Sequence, residues 1–265
     1  MRRLVFSRGV VAVAALGLVL ASSGSSVGSS ARFAGLVGLI NHSTPSSAAQ
    51  ASLRCGGVMA SADVVLTAAH CVSGMGPGSV DVVLLADGSC GANLRRTGVN
   101  RIVDERQRDG VDLALLILDA ELPGPMPQFS VSDEPAALLN APLVSRVARS
   151  ATTDCSVPKT RLALVDDEQC DGFPRAPGVS YLCAVGRDDA STSCFGDSGS
   201  PVYEPSGAVR GITLGGEGCG TGDATQYLEA TALTEYLSSA GLDCGGMRSG
   251  DRRRTAACPR PSPRP

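Results

Sequence analysis

Short apolar runs broken by turn-forming residues dominate this chain, and helical periodicity is nearly absent. Phe33 to Ile40 reads as a first strand, and a polar Ser/Thr/Pro stretch from Asn41 to Ser52 reads as a loop. Val58-Met59 and Val64-Val65-Leu66 predict two strands around a Ser61-Ala62-Asp63 turn. Val80 to Leu85 predicts a further strand, bounded by Gly78 and by Asp87-Gly88. The apolar run Val111 to Leu118 ends at Glu121-Leu122-Pro123-Gly124-Pro125, and this proline-rich stretch, up to Pro127, is the candidate linker between two halves. The second half repeats the style with strands expected over Leu143 to Ala148, Arg161 to Val165, Val179 to Ala184, Pro201 to Tyr203, Ala208 to Leu214 and Tyr227 to Ala230. Only Ala232 to Ala240 reads as a helix, with Leu233, Tyr236 and Leu237 on one face. Many short strands with turns between them predict an all-β barrel or sandwich architecture.

Composition supports that picture. Of 265 residues 43% are apolar and only 3% aromatic, with no Trp and 32 Gly, so Ala, Val and Leu must supply the core. The ends read differently from the body. Arg2, Arg3 and Arg8 precede eleven apolar residues, Val10 to Leu20, and small residues follow from Ala21 to Ser26. Positive, apolar, then small is the pattern of a secretory signal peptide, and eleven apolar residues fall short of the roughly 20 that a membrane-spanning helix needs. Residues 245–265 carry six Arg and one Asp, with Pro at 259, 261, 263 and 265, and are expected to be a disordered basic tail. The expected organisation is therefore residues 1–26 as a leader, 27–244 as the folded domain and 245–265 as the tail. Without residues 1–23 and that tail the chain holds 14 basic and 25 acidic residues, a net of about −11, which argues against nucleic-acid binding. Ten cysteines, an even number, agree with export to an oxidising compartment and with disulfides. No C-x-x-C pair occurs and only two His are present, so a zinc site is not expected.

Three segments carry candidate chemistry: Thr67-Ala68-Ala69-His70-Cys71, Asp112-Leu113-Ala114-Leu115-Leu116 and Gly196-Asp197-Ser198-Gly199-Ser200-Pro201. A serine hydroxyl is a weak nucleophile near neutral pH and needs a base within hydrogen-bond reach. Histidine can take that proton and return it to a leaving group. Of the two candidates, His42 lies in the polar loop and His70 in the first segment. A carboxylate can fix the imidazole tautomer, and Asp112, Asp104 and Asp109 are the candidates, of which the resemblance described next favours Asp112, the one followed by an apolar strand of the kind that family shows.

These segments, in this order, resemble the trypsin/chymotrypsin family of serine proteases from about Phe33 to about Leu242. The resemblance implies two packed antiparallel β-barrels with a cleft between them, and a His70, Asp112, Ser198 triad. It also implies an oxyanion hole from the N–H groups of Gly196 and Ser198, and a primary substrate pocket at Thr192, Ser193, Leu214, Gly215, Gly216 and Thr225. Bridges Cys55–Cys71, Cys170–Cys183 and Cys194–Cys219 follow from the same resemblance, while Cys90, Cys155, Cys244 and Cys258 leave three pairings open. No Asp stands at Thr192, and Thr225 falls where many members keep a Gly, so a small or medium uncharged side chain is the expected fit. Two departures stand out: Ser200 where the family usually has a second Gly, and Glu204 in place of a cysteine. The implied activity is that of a secreted, monomeric endopeptidase acting on protein or peptide substrates through an acyl-enzyme, with no cofactor, no metal and no membrane span in the mature protein.

Two rivals are weighed against this. An inactive homologue serving as a binding module is opposed by the complete triad. An esterase with a Gly-x-Ser-x-Gly elbow is opposed by Ser200, which breaks that pattern, and by the Ser coming last. The resemblance implies that Asp197 turns inward and needs a partner, since an uncompensated buried carboxylate is costly. The family's partner is a new α-amino group; here Val27, exposed by processing after Ser26, is the expected source, the alternatives being another cation such as Arg32 or a carboxylate that stays hydrated.

Overall fold

The computed structural model describes residues 33–42, 53–86, 89–90, 94–105, 109–130, 138–147, 155–187, 191–220 and 222–242. The expected leader, the basic tail and the Val27 and Arg32 candidates lie outside them.

Two closed six-stranded antiparallel barrels form the fold. The first contains β1 (Leu36–Asn41), β2 (Leu53–Ser61), β3 (Val64–Thr67), β4 (Val80–Leu84), β6 (Arg96–Asp104) and β7 (Ala114–Leu118), in the order β1-β2-β3-β7-β6-β4. The second contains β8 (Leu138–Pro142), β10 (Lys159–Val165), β11 (Tyr181–Gly186), β12 (Pro201–Tyr203), β13 (Val209–Gly216) and β14 (Thr225–Glu229), in the order β10-β11-β14-β13-β12-β8. A two-residue ladder pairs β5 (Ser89–Cys90) with β9 (Cys155–Ser156) and sets Cys90 opposite Cys155 in register. The chain closes on the helix Ala230–Ser239, whose Leu233 and Leu237 are fully buried.

Closure leaves no free sheet edge in either barrel, and it explains the run-like apolar pattern. Every residue of β3 is buried, because both faces of Val64-Val65-Leu66-Thr67 meet protein. The β2–β3 connection is tight, and Ser61 Oγ donates to Asp63 Oδ1 at 2.7 Å across it. The segment leading into β1 is stitched to the second barrel: Tyr203 OH donates to Ala34 O at 2.9 Å, and the Phe33 and Tyr203 rings lie 5.7 Å apart.

One strand is not anticipated and one expected strand gives way to a helical turn, each for a physical reason. Arg96–Asp104 is a strand although its sequence is largely polar. It pairs with β4 and β7 through its backbone, and a bulge between Val99 and Arg101 breaks the alternation that would have marked it. Within the expected strand Leu143 to Ala148, the described residues 143–147 form no strand. The strand ends at Pro142, and Val144–Val147 form one helical turn. That turn aims the Ser145 N–H at the buried Asp197 carboxylate, 2.8 Å away.

Among the described residues, the disulfides Cys55–Cys71, Cys170–Cys183 and Cys194–Cys219 brace this frame, with sequence separations of 16, 13 and 25. Loops of that size give roughly 3 kcal/mol each in the chain-entropy account. Among the described residues no helix is long and apolar enough to cross a membrane.

Two core tyrosines make stability sensitive to alkali. Burial pushes the Tyr227 hydroxyl up to about 12, against hydrogen bonds from Ser193, Thr225 and Thr192 that lower it. Burial likewise raises Tyr203 well above the usual value. An unfolded tyrosine ionises near 10, so the unfolded chain loses these protons first as pH rises. Their contribution is complete below pH of about 10 and is lost as pH climbs towards about 12. Urea unfolding at fixed ionic strength is expected to give a stability that drops between pH 10 and 12. A stability that stays level or rises across that interval would contradict the buried-hydroxyl assignment.

Candidate active site

His70 is presented by a single 3-10 turn, Ala69–Cys71, closed by Cys71 N–H to Ala68 O at 3.1 Å. Ala68 and Ala69 are fully buried, so only small side chains fit there, while Cys71 is tied to Cys55 of β2. Asp112 is presented by a different device. Val111 and Leu113 are both fully buried, and Leu113 N–H closes a three-residue turn on Val111 O at 2.7 Å. The residue between two such anchors faces outward, just before β7 begins at Ala114.

The two side chains meet twice. Asp112 Oδ2 lies 2.6 Å from His70 Nδ1, and Asp112 Oδ1 accepts the His70 backbone N–H at 2.8 Å. An ionised carboxylate only accepts, so Nδ1 must carry the proton and Nε2 is left as the acceptor. His70 remains 39% exposed at its side chain, enough for a substrate to reach it. Asp104 and Asp109, the rival carboxylates, lie at the end of β6 and on an exposed segment.

Ser198 sits between two glycines with positive φ, Gly196 at 97° and Gly199 at 77°. At Gly199 glycine is required twice over, since a Cβ there would collide with Thr67 Oγ1 and with the Gly56 carbonyl oxygen. The Ser198 carbonyl accepts Gly56 N–H at 2.8 Å, and its hydroxyl rests on Leu214 O at 3.4 Å. That resting bond is long, so the hydroxyl gives it up at little cost. Asp197 is wholly buried and its carboxylate accepts two backbone N–H groups, from Ser145 and from Cys194, each at 2.8 Å. Those bonds fold the Cys194–Ser198 loop into a tight turn, with Asp197 N–H on Cys194 O at 2.9 Å.

His70 and Ser198 line one cleft of about 310 Å³ together with Ser193, Leu214, Gly215, Gly216 and Thr225. Thr192, expected as the pocket floor, lies 1% exposed and outside that lining. It backs the floor instead, with its Oγ1 2.6 Å from Thr225 Oγ1. Ser193 Oγ lies 3.0 Å from Tyr227 OH. The floor is thus a set of neutral hydroxyls, and the Thr225 hydroxyl stands where a Cβ on Gly216 would come within 2.8 Å of it.

Three residues in or behind the cleft, Phe195, Ser145 and Gly56, carry no plain signal in the sequence. Phe195 lines the mouth at 82% exposure, unusual for an aromatic side chain. Its place beside Gly196 was the available signal. Ser145 was hidden in a supposed strand, and the Gly56 contact joins residues far apart in sequence. Cys55, His70 and Cys71 cluster closely enough to suggest a metal site, but both sulfurs belong to one disulfide and offer no thiolate.

The profile of the trypsin family matches residues 36–237, most of the chain. Serine protease 56 of Mus musculus is 29% identical over 225 residues, which cover 77% of this chain and 36% of that protein. Trypsin eta of Drosophila melanogaster is 27% identical, covering 62% of this chain and 68% of its own. A trypsin-like protease of Streptomyces glaucescens is 26% identical, covering 71% and 75%. The chain spans about a third of the length of the mouse and human Serine protease 56 proteins.

A serine-directed phosphorylating reagent reads this geometry directly. Stoichiometric labelling is expected, with the adduct mapping to Ser198, and His70→Ala is expected to suppress it. Labelling spread over several serines, or undiminished in the histidine variant, would break the assignment of nucleophile and base.

Proposed function

The chain belongs to the trypsin family, and on that premise we propose that it is an exported serine endopeptidase that cleaves protein or peptide substrates through an acyl-enzyme. The observation that carries this reading is the double hold of Asp112 on His70 in the cleft that also exposes Ser198. Export is supported by three disulfides among the described residues and by the leader-like start of the sequence.

The steps follow from the atoms. Ser198 Oγ attacks the scissile carbonyl carbon while His70 Nε2 takes its proton, and the imidazolium that forms is held by Asp112. The carbonyl π bond opens and its oxygen becomes an oxyanion, for which the Gly196 and Ser198 N–H groups are the donors. Each such donor is worth about 2.7–4 kcal/mol in comparable sites. The tetrahedral species collapses, the C–N bond breaks, and His70 gives the proton to the leaving amine. Water then repeats the cycle: His70 removes its proton, hydroxide adds to the ester, and Ser198 leaves with the proton returned.

The pocket argues for a small or medium uncharged side chain on the acyl side of the cleaved bond. Thr225 occupies space across from Gly216, and the Thr192–Thr225 pair closes the bottom. Tyr227 stays neutral through the physiological range, so the floor offers no counter-charge to Lys or Arg. Asp188 and Asp189, the nearest acidic residues in sequence, lie outside the described residues.

Two measurements test this reading. Ser198→Ala is expected to fold and to lose activity by about 10⁶ in kcat, the scale of nucleophile deletions in serine hydrolases; a variant keeping a tenth of wild-type kcat refutes the role of Ser198. A peptide-library profile is expected to favour Ala, Ser, Thr or Val at the primary position, and Thr225→Gly is expected to shift it towards larger side chains by a factor of about 10 or more. Dominance of Arg or Lys in the wild-type profile rules the pocket reading out.

A further inference from the structure

The departure at Ser200 has a counterpart across the barrel interface. Gly56 lies in β2 of the first barrel, and its bare α-carbon faces the Ser200 side chain. A Cβ on Gly56 would overlap Ser200 Oγ and come within 3.0 Å of both Ser200 Cα and Cβ. Ser200 is anchored on the second barrel: its N–H donates to Asp197 O at 3.0 Å, and its carbonyl accepts Thr213 N–H at 2.9 Å and Thr213 Oγ1–H at 3.1 Å. Its side chain is 1% exposed, and the hydroxyl has no hydrogen-bond partner among the described residues. A buried hydroxyl without a partner is destabilising, so hydrogen bonding does not explain its presence. What the side chain does supply is volume, at one point between the barrels.

That point adjoins the reacting groups on both sides. Gly56 N–H donates to the carbonyl of Ser198 itself, and Gly56 O accepts the Thr67 hydroxyl at 2.8 Å. Cys55, the neighbour of Gly56, is bonded to Cys71, the neighbour of His70. A change in spacing between Gly56 and Ser200 therefore moves the segment carrying the nucleophile relative to the segment carrying the base. We propose that Ser200 is a positioning residue whose side chain, seated on the bare α-carbon of Gly56, sets the separation of the two barrels at the catalytic centre and so the alignment of Ser198 with His70. This rests on the endopeptidase reading. It explains the non-glycine at position 200 as one half of a size-matched pair whose other half is Gly56.

The test is a double-mutant cycle with kcat, KM, melting temperature and serine-reagent labelling measured for each protein. Gly56→Ala is expected to lower kcat about 100-fold, with KM changed less than about threefold, as a displacement near 1 Å can do. Ser200→Gly empties the seat and is expected to lower kcat about tenfold, whereas Ser200→Ala, which keeps Cβ, loses less, about threefold. The double variant Gly56→Ala with Ser200→Gly is expected to recover at least about tenfold over Gly56→Ala alone, the signature of coupling between touching residues. Wild-type kcat in Gly56→Ala or Ser200→Gly overturns the proposal. So does a double variant that regains melting temperature without regaining kcat, since that outcome reduces the pair to packing. If Gly56→Ala does not fold, the comparison of Ser200→Gly with Ser200→Ala decides, and equal kcat values in the two overturn it. Ser198→Ala run alongside separates the cases: retained activity there refutes the endopeptidase reading, while its loss with unaffected position-200 variants refutes this inference alone.

Discussion

The site depends on one interaction, the grip of the Asp112 carboxylate on both the backbone and the ring of His70. Either bond alone would leave a freedom. A ring bond without the backbone bond lets the 3-10 turn drift, and a backbone bond without the ring bond leaves the tautomer open. With both made, Nδ1 is committed as donor and only Nε2 can accept a proton. The fold makes the grip available by burying Val111 and Leu113 on either side of Asp112 and by leaving room only for alanine ahead of His70.

The second carboxylate does the corresponding work for the nucleophile. Asp197 is buried at a cost that would expel it from the interior if nothing met it, and the two backbone N–H groups that meet it come from Ser145 and Cys194. Each bond has a shape consequence. The one to Cys194 curls the loop onto itself, and the one to Ser145 pins that loop to the turn after β8. Gly196 and Gly199 then take the positive φ values that this curl imposes. Gly196 and Ser198, the proposed oxyanion donors, thus lie in a loop whose curl glycine accommodates and whose buried carboxylate accepts backbone N–H groups. His70 and Asp112 stand on the first barrel and Ser198 just ahead of β12 in the second, so under the proposed reading the packing between barrels bears on chemistry as well as on stability.

Much of this was legible in the sequence, for identifiable reasons. Val64-Val65-Leu66 and Pro201-Val202-Tyr203 read as strands because both faces are buried and the run is continuous. Asp112, favoured over Asp104 and Asp109 through the resemblance of its apolar following strand to the family's, is the carboxylate that meets His70 in the structure. Arg96–Asp104 was not legible, since a barrel strand with one wet face and a bulge loses its alternation. Val144–Val147 was misread because a buried helical turn and a buried strand share the same apolar run, and the deciding fact, an acceptor at Asp197, lies 52 residues away. The same distance problem hid the meeting of Gly56 with Ser200. Thr192 was placed one layer too high: sequence spacing locates a position along the chain but not its depth beneath Thr225.

That difference in depth determines what the cleft can select. With Thr192 below and Thr225 across, the floor consists of hydroxyl groups already paired with one another, at 2.6 Å for the threonines and 3.0 Å for Ser193 and Tyr227. A substrate ammonium or guanidinium reaching that depth would lose its hydration and meet dipoles that are spoken for, and several kcal/mol of desolvation would go uncompensated. A methyl or isopropyl group has no such hydration to lose and gains about 25 cal/mol for each Å² removed from water. The two effects act in the same direction, because lining hydroxyls that satisfy each other behave towards a ligand as a nearly apolar surface. Under the proposed reading, discrimination against basic side chains would come from the pairing of the floor as much as from its want of a carboxylate. Size is a separate limit, set by how far Thr225 reaches towards Gly216.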